Sequence, residues 1–396
     1  MKLERKWRIM FSILPGTLLS GFRLASVPAA MYQLSKSLRL SGLQVGLILG
    51  STSISGAIFG IPTGMIADKI GLKRTFLTGV SLMAIGTLFT AFSLGFYSLF
   101  FFTLLSSFGL TLYVPSLIQL LSRFFEKNDR GLGIGLLGST VRISAASTFM
   151  IAPLVLLGTD SWRWLFMILG SISCMIALFL YHRLSLFDIE EEPSSDSSSL
   201  VTTFKNILNE KIIILTAICR IFLGGSSQSF AGFLPFLLQL TGTSLGSSSF
   251  VLALFWISQG AGTILVPKLS DIIKKRVILV TILGLIASSS LILLAFTWGN
   301  IILSIVLSVI LGFIFAGITE ILFLIPISDP VIAKKYSGGA TGFLMTFGAL
   351  GALSSNLFLG YLLDYSASVI WTSLAFIASL QLLLAFFSVF MRRSVS

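Results

Sequence analysis

Charge is what this chain has least of. Only 11% of its 396 residues are Asp, Glu, Lys or Arg, against 55% hydrophobic, where soluble domains carry roughly a quarter charged. That deficit excludes a soluble enzyme of ordinary composition, since polar helix faces are missing outside short loops. Histidine is scarcer still. The single His182 sits at the edge of an apolar run, and no set of His, Cys or carboxylate residues suits a nucleophile or a metal, so neither an enzyme nor a cofactor is expected. The two cysteines, Cys174 and Cys219, both lie in apolar runs and form no disulfide framework. The basic N-terminal MKLERKWR leads into a long apolar stretch without an A-x-A-type cleavage site. A retained first helix is therefore expected.

What fills the sequence instead is twelve apolar segments, at 9–35, 43–67, 76–95, 97–122, 131–157, 162–182, 211–240, 247–268, 277–297, 301–325, 338–362 and 368–391. Each is long enough for a hydrocarbon core of about 30 Å, which takes roughly 20 helical residues. Between the sixth and seventh lies SLFDIEEEPSSDSSSLVTTFKN, acidic, Ser-rich and broken by Pro193. It has the composition of a linker. The expected organisation is thus residues 1–184 and 209–396 as two halves, joined through 185–208.

Lys and Arg set the expected orientation. Lys2, Arg5, Lys6 and Arg8 precede the first span, and alternate breaks carry Lys69, Lys73 and Arg74, then Arg123, Lys127 and Arg130, then Arg183, Lys205 and Lys211, then Lys268, Lys274, Lys275 and Arg276, then Lys334 and Lys335, and finally Arg392 and Arg393. The opposite breaks hold only Lys36, Arg39 and Arg163. Both termini are expected in the cytoplasm of a multi-pass protein of the cell membrane. The net charge of +12 then reflects topology and anionic lipid headgroups, with no nucleic-acid partner.

The break after the second span reads GMIADKIGLKR, Gly64 to Arg74. With Gly64, Asp68, Lys69, Gly71, Lys73 and Arg74 it fits G-x-x-x-D-[RK]-x-G-x-[RK]-[RK] and so resembles the major facilitator superfamily. The second half repeats it weakly as VPKLSDIIKKR, where Asp271 and Arg276 stand for Asp68 and Lys73, and Lys274 for Gly71. FFEKNDRG before span five and WRW at Trp162 to Trp164 extend the resemblance over nearly the whole chain. It implies an all-α integral membrane protein, twelve transmembrane helices in two pseudo-symmetric six-helix bundles, working as a monomer. It also implies that the loop cluster, Asp271 and Arg276 included, is a conformational latch between the halves.

Four charges lie deep in the spans: Arg23, Arg142, Arg220 and Glu320. Arg23 is about 22 Å along its helix from Arg8 and Arg220 about 14 Å from Lys211, at 1.5 Å per residue. One glutamate cannot neutralise three arginines, and a guanidinium in hydrocarbon is costly unless water or a bound anion meets it. Arg23, Arg220 and Arg142 are therefore candidate substrate ligands, Glu320 a counter-charge or proton site, and Tyr113 and Gln259 polar residues that could join them. In the resembled family spans one, four, seven and ten line the cavity. Paired arginines on spans one and seven resemble its organophosphate/phosphate antiporters, while an arginine on span one alone also resembles anion–cation symporters and cyanate-type permeases. The expected function is secondary active transport of a small organic or inorganic anion, coupled to protons or to a counter-anion; the alternative is a major facilitator carrier of a neutral or hydrophobic metabolite or drug. The latch yields a test: Asp68→Asn should slow turnover several-fold while binding changes less than about twofold, as expected when an interaction belongs to one conformational state. Unchanged turnover at intact expression counts against it.

Overall fold

The computed structural model describes residues 5–124, 130–185, 208–327, 337–366 and 368–395. Residues 186–207 of the expected linker and the side chains of Gly64, Asp68 and Lys69 lie outside the described residues. So do Lys2, Lys127, Lys205, Lys334 and Lys335, and the side chains of Arg5, Lys6, Arg8, Arg123, Arg130, Arg392 and Arg393. The described helices are α1 (Arg5–Leu38), α2 (Gly42–Leu49), α3 (Ser51–Ile70), α4 (Leu72–Thr90), α5 (Phe96–Phe124), α6 (Arg130–Thr159), α7 (Trp162–Ser185), α8 (Lys211–Leu240), α9 (Leu245–Ile273), α10 (Arg276–Phe296), α11 (Ile301–Ile327), α12 (Ser337–Tyr365) and α13 (Val369–Val395).

Ten of these are by themselves long and apolar enough to cross a membrane, and α2 with α3 make an eleventh span bent by 49°. The twelfth is α4. It has 19 residues and opens Leu-Lys-Arg, so Lys73 and Arg74, expected at headgroup depth, dilute its apolar character. Exposed Leu154, Leu178 and Phe101 show the lipid-facing side of such helices; in a bilayer this surface needs no further cover.

Packing repeats between the halves. α1 packs on α6 as α8 packs on α12; α4 packs on α7 as α10 packs on α13; α3 packs on α5 as α9 packs on α11. Across the middle, α2 and α3 meet α12 while α6 meets α9, and α1 meets α8. This is the pseudo-twofold arrangement of two six-helix bundles. The turns share a positive φ but differ in conformation: Gly71 has φ +89° and ψ 147°, whereas its counterpart Lys274 has φ +56° and ψ 19°. The Gly71 backbone lies in a region essentially reserved for glycine, which explains glycine there, while Lys274 adopts the left-handed helical conformation at a cost of about 1 kcal/mol.

The apolar core shows where the bundles join. One continuous cluster at the end away from the termini contains Ala30, Leu34 and Trp162 of the first half together with Phe230, Phe255 and Phe315 of the second. Nearer the termini the cores are separate: Met10, Phe76, Tyr113 and Leu180 in the first half, Ile213, Ala217 and Phe343 in the second. The bundles are thus closed at the end of residues 39–41 and parted toward the other. Trp162 Nε1 donates to Ser37 Oγ at 2.7 Å, and Arg163 lies over the Trp162 ring while donating to the Ser93 carbonyl at 2.9 Å. These contacts pin the start of α7 to the ends of α1 and α4 that lie away from the chain termini.

The span α4, which falls short of the others in hydropathy, is held by close backbone contact. A Cβ on Gly79 would come within 2.8 Å of the Gly109 carbonyl oxygen and of the Tyr113 nitrogen, and one on Gly86 within 2.6 Å of the Ser106 nitrogen, all on α5. Such approach replaces the missing hydrophobic drive between helices in lipid with dispersion. Gly79→Val is expected to lower the thermal midpoint of the purified protein, at a cost of about 1–3 kcal/mol for overpacking. A scan unchanged from wild type would show that the helices can part there freely.

Candidate functional site

A cavity of about 380 Å3 lies between the bundles where their cores separate. Both halves line it. On α8 the lining residues are Arg220, Gly224, Ser227, Gln228 and Ala231, spaced i, i+4, i+7, i+8 and i+11, which is one helical face. From α12 come Gly342, Met345, Gly348 and Ala352, from α9 Trp256 and Gln259, from α11 Phe315 and Thr319, and from the first half Thr52, Ser53, Thr111 and Arg142.

Arg220 is seated by packing, with Glu320 acting on it electrostatically from beyond ion-pair distance. Its guanidinium carbon lies 4.6 Å from the centroid of the Phe323 ring, a cation–π contact, and rests on Gly348, where a Cβ would come 2.9 Å from the terminal nitrogen. Its Nε is buried without a hydrogen-bond partner. Among the described residues it has no carboxylate within ion-pair distance.

Arg142 and Glu320 meet across the bundles. Arg142 donates to the Gly138 carbonyl at 3.0 Å and places its other terminal nitrogen 3.7 Å from the Glu320 carboxylate, their side chains being 17% and 33% exposed. Glu320 therefore sits with the arginine of α6. Gln259 reaches the same cavity.

Arg23 is placed differently. One terminal nitrogen donates to Ser51 Oγ at 2.7 Å, to the Thr103 carbonyl at 2.9 Å and to Ser107 Oγ. The side chain is buried among neutral acceptors, and it borders only a recess of about 30 Å3 shared with Thr52, Gln228 and Trp256. It does not stand with Arg220 on the wall of the large cavity, and neither faces lipid. The sequence offered no sign of Ser51 and Ser107 as partners, because serine in an apolar helix usually bonds its own backbone. Tyr113 lies outside the cavity altogether: fully buried, its ring is 5.0 Å from that of Phe76, and its hydroxyl abuts Gly16. Phe323, Gly348, Gln228 and Trp256 were not singled out from sequence. The face shared by residues 220, 224, 227, 228 and 231 was the available signal for one of them.

At the loop of the second half, Arg276 bonds Asp271 at 2.8 Å and donates to the Leu324 carbonyl at 3.4 Å. Both contacts stay within that half. In the first half Gly71 starts α4, Lys73 is half-buried and Arg74 exposed.

Two bundles about a central cavity define a transporter fold of the membrane. The chain belongs to the Major Facilitator Superfamily, whose family model matches residues 13–353. It is similar to the 3-(3-hydroxy-phenyl)propionate transporter of Escherichia coli K12, with 24% identity over 351 residues covering 87% of this chain and 84% of that one. It is also similar to a probable galactarate/D-glucarate transporter of the same organism, with 22% identity over 380 residues covering 86% and 84%. Among solved structures, a bacterial homologue of the human lysosomal transporter Spinster, inward-facing and occupied, superposes with a TM-score of 0.81 over 99% of this chain and 98% of that one, at 16% identity.

The ion pair across the bundles makes a stability prediction. Glu320→Gln leaves Arg142 without its counter-charge and is expected to cost on the order of 1–2 kcal/mol, less than for a sealed pair because both groups are partly exposed. Adding Arg142→Gln should restore most of the thermal midpoint. Additive losses in the double variant would mean that the two groups do not interact.

Proposed function

We propose that the protein is a secondary active transporter that moves a small anion through the cavity by alternating access, and that Arg220 is its principal anion ligand. The observation that carries this is a guanidinium inside a transport cavity with no carboxylate to pair with among the described residues. Gln228 and Gln259 on neighbouring cavity walls offer amide donors, and Trp256 adds an indole N–H that is buried without a partner. Such donors around a fork-shaped cation suit carboxylate, sulfonate or phosphate oxygens. The names of the relatives, which are carriers of organic acids, agree with that chemistry.

On this reading residues 1–184 and 209–396 rock as two bodies joined by 185–208, both termini are cytoplasmic, and the closed outer end makes this the inward-facing state. Arg142 and Glu320 hold the bundles together when the site is empty. An incoming anion competes with Glu320 for the arginines. Exchange of one anion for another follows, because the empty carrier must re-form the pair before it rocks. Arg23 serves as a structural cation beside the site.

Two measurements test the proposal. Thermal midpoints recorded against inorganic phosphate, sulfate, and mono- and dicarboxylates should rise with at least one of them, since a ligand of the folded state stabilises by mass action, about 2.7 kcal/mol at a hundredfold excess over Kd. Arg220→Gln should abolish the rise; persistence in that variant removes Arg220 from the role. With the stabilising anion as substrate, proteoliposome uptake should be stimulated by trans-side anion and change little between about pH 5.5 and about pH 7.5, a window that brackets proton coupling near neutrality. Strong stimulation by an inward proton gradient that vanishes in Glu320→Gln would establish proton symport instead.

A further inference from the structure

The bend in the second span isolates α2 as an element of its own. Its eight residues pack mainly against α12 of the other bundle rather than against the helices of their own half, and α2 turns from α3 by 49° at Gly50. The contact is at backbone level. A Cβ on Gly42 would overlap the Gly360 carbonyl, and one on Gly46 the Asn356 carbonyl.

The start of α2 is capped twice. Within the chain, Ser41 and Gln44 form a reciprocal capping box, with Ser41 Oγ accepting from the Gln44 backbone at 3.3 Å and the Gln44 side chain accepting from the Ser41 backbone at 3.0 Å. From the opposite bundle, the Asp364 carboxylate at the end of α12 accepts from Gly42 N–H at 2.6 Å and Leu43 N–H at 3.0 Å, one oxygen for each. A carboxylate at a helix N-terminus meets free N–H groups and the positive end of the dipole. At the same end of the bundles Gln33 donates to Gln239 across the halves at 3.3 Å. The capping box satisfies the Ser41 and Gln44 N–H groups and Asp364 those of Gly42 and Leu43; at an exposed rim water can replace the carboxylate, so the distinctive effect of Asp364 is to tie one bundle to the other.

We propose that α2 is the outer gate of the transporter, with Gly50 as its hinge and Asp364 as the residue that latches it. The two hydrogen bonds exist only while the outer end is closed. When the bundles part there, α2 keeps its own cap and Asp364, at the rim, passes to water, so the latch opens without leaving a buried orphan. The proposal rests on the alternating-access reading and is independent of what is carried.

The test is distance measurement by double electron–electron resonance in a Cys174→Ser, Cys219→Ser background. Spin labels at Leu94→Cys and Ile302→Cys report the outer end, at positions 86% and 69% exposed, and labels at Tyr181→Cys and Ile272→Cys report the inner end, at 67% and 78%. In Asp364→Ala the outer pair should gain a population about 5 Å longer, the scale of a one-turn displacement, and the inner pair a shorter one. Asp364→Asn, which keeps the shape and weakens the contact, should show a smaller shift of the same sign. Outer distances unchanged in both variants overturn the latch, as does a fall in thermal midpoint without any shift, which marks a merely structural cap. An inner pair that shows two populations in the wild type keeps alternating access standing if the latch falls.

Discussion

A guanidinium cannot shed its charge in hydrocarbon, and the middle of this protein is organised around that constraint. Three arginines enter the spans, and each is met in a different way. Arg23 is surrounded by hydroxyls and a carbonyl, which solvate it without neutralising it. Arg142 is paired with Glu320 across the bundles. Arg220 has an aromatic face and an open cavity. These arrangements differ in what they leave for a ligand. The first is complete, the second can be exchanged, and the third is unfinished.

Much of the fold was legible because it is a matter of solvent. Runs of apolar residues, the breaks between them and the charged loop at Gly64 to Arg74 report the bilayer directly, so the helices and their repeat could be read off. α4 shows the limit: hydropathy alone ranks it below the others, and its place is secured by Gly79, Gly86 and Gly109, whose significance depends on a partner helix that hydropathy does not identify. The candidate site was legible as a list and not as an arrangement. That Arg142, Arg220 and Glu320 lie deep in spans follows from position. Which arginine takes the glutamate depends on the rotation of α6 and α11, a quantity that two residues of one chain do not encode locally. Arg23 was misplaced for a related reason: charge counting treats serine as inert, whereas Ser51, Ser107 and the Thr103 carbonyl together offer a guanidinium a polar nest.

The bundles are joined unevenly, and this decides what can move. At the closed end a shared apolar core and backbone-level contact between α2 and α12 bring large numbers of weak contacts. At the cavity, packing of Gly56 and Gly60 against α12 is joined, among the described residues, by one ion pair at 3.7 Å with both partners partly exposed. Dispersion between close backbones is short-ranged and lost within an ångström or two, so the contacts of the closed end favour a closed state sharply. The ion pair acts over a longer reach and tolerates displacement. A joint of this kind resists small motions at one end while permitting large ones at the other.

Rocking between two states requires that neither be far below the other; a few kcal/mol would leave the minor state barely populated. A carrier therefore cannot rely on contacts that are simply lost on opening. Each polar contact that breaks has to find a replacement, from water, from a ligand or from within its own half. The features described above have this property to different degrees. Asp271 and Arg276 satisfy each other inside one bundle whatever the other does. The N-terminus of α2 keeps the Ser41–Gln44 box if Asp364 leaves. Among the described residues Arg142 and Glu320 have no such internal substitute beyond the Gly138 carbonyl for the arginine, so when they separate, water or a ligand must take the partner's place. On the proposed reading the anion takes that place, which makes this contact between the bundles the one that substrate relieves.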